Sequence, residues 1–155
     1  MNSLQELNIS PAEMTFPLVE GLLDDAVGNS TVAAPGLLYA ARVAPLKTPI
    51  EPARELVLAD VELSDYDGAA QQAITWSAAA RDENAEPYLL ANRLTFVPTG
   101  DDTIGTQVIT GVALIGSDSV TLFGVVNLDP PVTVNPDTPF RLDLTVTTKP
   151  PVNVL

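Results

Sequence analysis

Residues 139 to 148, PFRLDLTVTT, alternate between apolar and polar with a period of two. Phe140, Leu142, Leu144 and Val146 fall on one side of an extended chain, and Arg141, Asp143, Thr145 and Thr147 on the other. That pattern predicts a strand with one buried and one wet face. The same vocabulary recurs upstream in LLYAARVA (37–44), QQAITWSAA (71–79), NRLTFV (92–97), TQVITGVALIG (106–116), SVTLFGVV (119–126) and a short VTV (132–134). Turn residues such as Asp67-Gly68, Asp82-Glu83-Asn84, Gly100-Asp101-Asp102 and Asn135-Pro136-Asp137 separate these runs. Gly116-Ser117-Asp118, between two strongly apolar runs, predicts a hairpin. Residues 120–126 are apolar on both faces, which predicts a central strand covered on both sides. ELVLADVEL (55–63) fits the period of a strand and of a short helix equally. Short strands, frequent turns and no helix of crossover length predict an all-β fold, an antiparallel β-sandwich or jelly-roll-like domain. The apolar side of residues 140–148 is then expected to face a second sheet near Val108, Val112 and Leu122.

Residues 1–36 read differently. Ser10-Pro11-Ala12-Glu13 combines an N-cap, a proline at the first helical position and a glutamate three after the cap. Leu18, Val19, Leu22, Leu23, Ala26 and Val27 then recur at helical spacing, and Gly28-Asn29 can close the segment. The expected organisation is an N-terminal arm with short helical segments (1–36), a sandwich domain (37–148) and a C-terminal tail (149–155).

Composition sharpens this. At 155 residues the chain is long enough to bury a real core, and 46% hydrophobic content argues against wholesale disorder. Aromatics are only 5%, so the core is built mainly from Val, Leu, Ile and Ala, while 14 prolines favour short segments over long helices. Twenty acidic against 7 basic residues give a net charge of −13, which repels phosphate backbones and anionic membrane surfaces. Neither a nucleic acid nor a membrane is therefore an expected partner. The opening MNSLQELNIS has no basic start and no apolar run, and no stretch reaches the roughly 18 apolar residues of a membrane span. A soluble protein made in a cytoplasm is expected.

Candidate chemistry is sparse. Histidine and cysteine are both absent, which removes the common nucleophilic triads, thiol chemistry and most zinc sites. No phosphate-cradling glycine loop is present. Paired acids for glycoside hydrolysis would be Asp60 with Glu62, Asp65 with Asp67, or Asp101 with Asp102, although solvated turns explain such pairs in so acidic a chain. Asp65-Tyr66-Asp67-Gly68 resembles the start of an oxygen-rich calcium loop, but Trp76 stands where the late bidentate glutamate belongs. Trp76, the one tryptophan, sits at period two with Ile74 and Ala78 and reads as a core or interface anchor. No catalytic residue, metal site or cofactor is expected.

LADVELSDYDGAAQQAITW, followed by NRLTFVPTG, TQVITGVALIG and SVTLFGVVNLDPPVTVNPDTPFRLDLTVT, resembles a class of small β-rich virion proteins of tailed bacteriophages. The resemblance spans residues 48–147. It implies a non-catalytic capsid decoration, or cement, protein on the virion surface, a homo-oligomer (often a trimer) that clamps neighbouring major capsid subunits. A tail, baseplate or fibre component and a carbohydrate-binding jelly-roll module are the alternatives. In such a particle protein the apolar residues Leu4, Leu7, Ile9, Met14, Phe16, Leu18, Leu22 and Leu23 are expected to lie on a neighbouring subunit, because a full sandwich has little room for them. On that view, deleting residues 1–36 leaves a folded monomer that no longer assembles.

Overall fold

The computed structural model describes residues 4–20, 41–66, 68–77, 80–81, 87–98 and 107–147. They form an all-β sandwich of nine strands: β1 (Leu4–Ile9), β2 (Arg42–Leu46), β3 (Gln72–Ala73), β4 (Ala80–Arg81), β5 (Pro87–Leu90), β6 (Leu94–Phe96), β7 (Gln107–Ile115), β8 (Leu122–Val134) and β9 (Phe140–Thr147). One sheet has the order β1-β9-β5-β4, with β6 also paired to β9. It is mixed, because β1 lies parallel to β9 in the register Leu4↔Arg141 to Ile9↔Val146. The other sheet, β3-β2-β7-β8, is antiparallel throughout.

Strand β9 behaves as its alternating pattern dictates. Phe140, Leu142, Leu144 and Val146 are buried and face the core between the sheets. There they join Phe96, Ile109, Val112, Leu114 and Phe123, with the Phe96 and Phe140 rings tilted at 37° and 6.1 Å apart. Of the three expected neighbours, only Val112 is in this core. Val108 is half exposed, and Leu122 faces the opposite side of its sheet.

The cause is two irregularities in the β7–β8 ladder. Ile109 pairs with Val132 while Gly111 pairs with Asn127, so residues 128–131 of β8 bulge out opposite a single residue of β7. Two of those four are prolines, which have no N–H to give to a ladder. Further on, Leu114 pairs with Gly124 but Ile115 with Leu122, leaving Phe123 as the extra residue. Each such insertion changes which face the neighbouring side chains take. That change sends Phe123 inward and leaves Val108 outside.

The second sheet is buried on both faces. On its far side Ala44, Leu46, Ala113, Ile115, Leu122 and Val125 form a second core, capped by Ile50, Leu56, Leu58, Val61 and Leu63. The ambiguous stretch 55–63 thus becomes a cover, with one 3-10 turn at Leu58–Asp60. The Asp60 carboxylate accepts the Val57 N–H at 2.9 Å and holds that turn. The Asn127 amide donates to the Ile50 carbonyl at 2.7 Å, and the Ser64 N–H to the Pro45 carbonyl at 2.9 Å, so the cover is pinned at both ends. The expectation for residues 120–126 is half right: the strand is covered on both faces, yet β8 stands at the end of its sheet rather than in the middle.

What protects that edge is the N-terminal segment. Met14 bridges to Gly124, and the Thr15 N–H donates to the Phe123 carbonyl at 2.9 Å. An edge strand is thereby closed by the chain's own backbone. Gly124 permits the approach, since a Cβ there would lie 2.6 Å from the Glu13 carbonyl oxygen. Gly124→Ala should therefore cost about 1–3 kcal/mol through overpacking. A chemical denaturation midpoint equal to that of the parent protein would show that the segment yields without strain.

Candidate interaction surface

The residues expected to bind a neighbour fall into distinct groups. Ile9, Met14 and Leu18 are buried in the chain's own core, each at most 2% exposed. Leu4 and Leu7 are half-buried on β1, and Leu7 packs against that core. Among those that the structure describes, Phe16 alone stands out into solvent, at 49% exposure. Leu22 and Leu23 lie outside the described residues. Residues 4–20 thus complete the sandwich of the single chain, supplying strand β1 and three side chains of its core. The pattern missed β1 because LQELNI is short and breaks alternation at Gln5-Glu6, and its partner β9 lies more than 130 residues away.

The local signals in this segment were sound. Ser10 and Glu13 close on one another as their spacing predicts, the Glu13 carboxylate accepting the Ser10 N–H at 3.1 Å and its hydroxyl at 2.8 Å. The result is a single 3-10 turn, Pro11–Glu13. A helical turn follows over residues 16–20, its Val19 N–H donating to the Thr15 carbonyl. Between these turns the chain crosses from one sheet to the other.

Arg54 holds the crossing in place. Its guanidinium donates to the Met14 carbonyl at 2.7 Å and to the Pro11 carbonyl, while its own carbonyl accepts the Phe16 N–H at 2.9 Å. Nearby on β8 the Thr15 hydroxyl donates to the Leu122 carbonyl. On the β9 side, Asn8 donates to the Thr147 hydroxyl at 3.1 Å and accepts from the Thr145 hydroxyl at 2.8 Å. This seam joins both sheets. Neither Arg54 nor Thr15 carries a sequence signal that singles it out.

The outer face of the first sheet mixes polar and charged side chains with Leu4, Tyr88 and Leu90. Glu6 is directly opposite Asp143 across the β1–β9 pair, a like-charge contact that is unfavourable by itself. Arg93 answers it with a two-pronged bond to Asp143, both contacts at 2.9 Å, and also feels Glu6. That bond holds the Asp143 carboxyl below its ordinary value and pushes the Arg93 guanidinium up. In the β7–β8 turn, Asp118 is likewise held down by the Thr121 hydroxyl and by the Thr121 and Val120 N–H groups.

For both acids the folded pKa lies below the unfolded one. Their stabilisation is therefore complete above the unfolded aspartate value of about 3.9 and is lost as pH falls through the folded value. An Asp118→Asn, Asp143→Asn double variant should show a shallower fall of thermal midpoint than the parent between about pH 4 and 2. Parallel curves would mean these bonds do not couple to folding.

The remaining candidates do not converge on one point. Asp65 pairs with Lys47 at 3.2 Å, and Glu62 accepts from the Thr48 hydroxyl at 3.1 Å. Asp60 caps its turn. Asp67, Asp101 and Asp102 lie outside the described residues, among which no three acids cluster as metal ligands. Tyr66 packs against the core, and burial pushes its hydroxyl up to about 12. That hydroxyl and the Ser64 hydroxyl are buried without a hydrogen-bonding partner. Trp76 also packs against the core and bridges to Ala91 through the backbone, the anchoring role its spacing implied. Among the described residues no helix is long and apolar enough to cross a membrane. The chain matches no family model, no curated protein and no solved structure.

Proposed function

We propose that the protein is a non-enzymatic structural component of a tailed-phage virion. In this reading it is a decoration protein on the capsid surface that ties neighbouring major capsid subunits together as a homo-oligomer. The observation that carries it is how the polar side chains are used. Asp60, Asp118, Asp143, Asp65 and Glu62 are each committed to a turn, a hydroxyl or a cation of the scaffold itself. Among the described residues, what faces outward is a braced sheet face that mixes polar and apolar groups, with exposed apolar side chains such as Phe16, Val57, Leu90 and Val120. Such a surface suits contact with another protein. The resemblance over residues 48–147 points to the same class.

The test is electron microscopy of purified virions that contain this chain, combined with its copy number by mass spectrometry. Density on the outer shell at many symmetric positions is the expected result. Density confined to the tail, with a few copies per particle, would replace this reading with that of a tail, baseplate or fibre component.

A further inference from the structure

Residues 4–20 are fixed to the body through partners remote in sequence. Asn8 bonds to Thr147 and Thr145, Thr15 to Leu122 and Phe123, and Met14 to Arg54. Strand β1 meets β9 in parallel, a pairing that no tight turn enforces. Twenty residues, 21–40, separate this segment from the start of the body at Ala41. Fully extended, that length reaches about 66–72 Å. A domain of this size has a radius of gyration of only about 15 Å.

Charge adds a second observation. Residues 4–20 carry Glu6, Glu13 and Glu20 and no basic residue. The whole chain has 7 basic residues, and three of them gather along the seam. Arg54 grips the Pro11 and Met14 carbonyls, Arg93 feels Glu6, and Arg141 is the register partner of Leu4. Asp143, the register partner of Glu6, is answered by the two-pronged Arg93 bond, so in a molecule of net charge −13 the seam accepts an acidic, apolar strand without uncompensated repulsion.

We propose that residues 4–20 are exchanged between copies of this chain, the segment of one copy seating in the β9–β8 seam of the next. The same contacts form whether the segment comes from within or from a neighbour. Exchange therefore costs little and is favoured wherever copies are held close together. Topology and charge support it, and it goes beyond the particle reading without depending on it.

Because the chain has no cysteine, two single variants test this cleanly. Asn8 and Thr145 are register partners. Full-length Asn8→Cys and Thr145→Cys, carrying tags of different mass, are mixed in denaturant, refolded together at high concentration and oxidised. The expected product is a heterodisulfide at twice the chain mass, far in excess of either homodisulfide. Glu6→Cys with Asp143→Cys, the next outward pair in the register, repeats the test in case one variant fails to fold. Heterodisulfide from neither mixture, with the corresponding double variants closing a disulfide within one chain, overturns the proposal.

Discussion

Removing residues 1–20 should abolish the cooperative unfolding transition of the chain. The deletion withdraws Ile9, Met14 and Leu18 from the core between the sheets and uncovers the β8 edge at Phe123 and Gly124. Truncating a buried Ile, Leu or Met to Ala costs about 2–5 kcal/mol, so three such losses amount to about 6–15 kcal/mol. That equals the whole stability of a typical domain. The sequence pattern alone leads to the opposite expectation, a folded body that merely fails to assemble. Circular dichroism and thermal denaturation of the truncated chain separate the two. A peptide of residues 1–20 added in trans should restore the transition. A sharp melt without the peptide would mean the sandwich stands by itself.

Phe140→Ala is the largest single change expected. The ring is fully buried, leans on Phe96, and occupies the first position of the strand that binds β1 and β6 at once. The chain has only four phenylalanines, and aliphatic neighbours cannot refill so large a void. The loss should be about 3–5 kcal/mol. With about 2–4 °C per kcal/mol at this chain length, the thermal midpoint should drop by about 6–20 °C. Phe16→Ala, at an exposed site in the same protein, is the matched control and should leave the midpoint nearly unchanged. Equal shifts in the two variants would contradict the assignment of the core.

Fold class was legible because it rests on local periodicity. The 140–148 strand, the 106–126 hairpin and the sandwich built from them follow from alternation and turn chemistry. Three things were not legible, each for a physical reason. The ladder irregularities at Ile109/Gly111 and Leu114/Ile115 depend on cross-strand register, which no single strand encodes, so alternation alone puts Val108 and Leu122 on the wrong side. Residues 55–63 could not be resolved by period, because they cover a sheet face instead of joining a ladder. The role of residues 4–20 hinges on pairing with the last strand, and apolar residues at the start of a chain look alike whether they fold home or reach away. For the candidate surface, the apolar character of residues 4–18 was legible in the sequence but not where each side chain packs, and Arg54 and Arg93 became visible only through their geometry.

The parallel pairing of β1 with β9 also sets how the molecule bears force. The two strands run the same way, so Leu4 and Val146 lie at opposite ends of one six-residue ladder. Tension applied between those points loads the ladder in shear, and its hydrogen bonds must yield together rather than one after another. The bond between Asn8 and Thr145 lies along the same line of load.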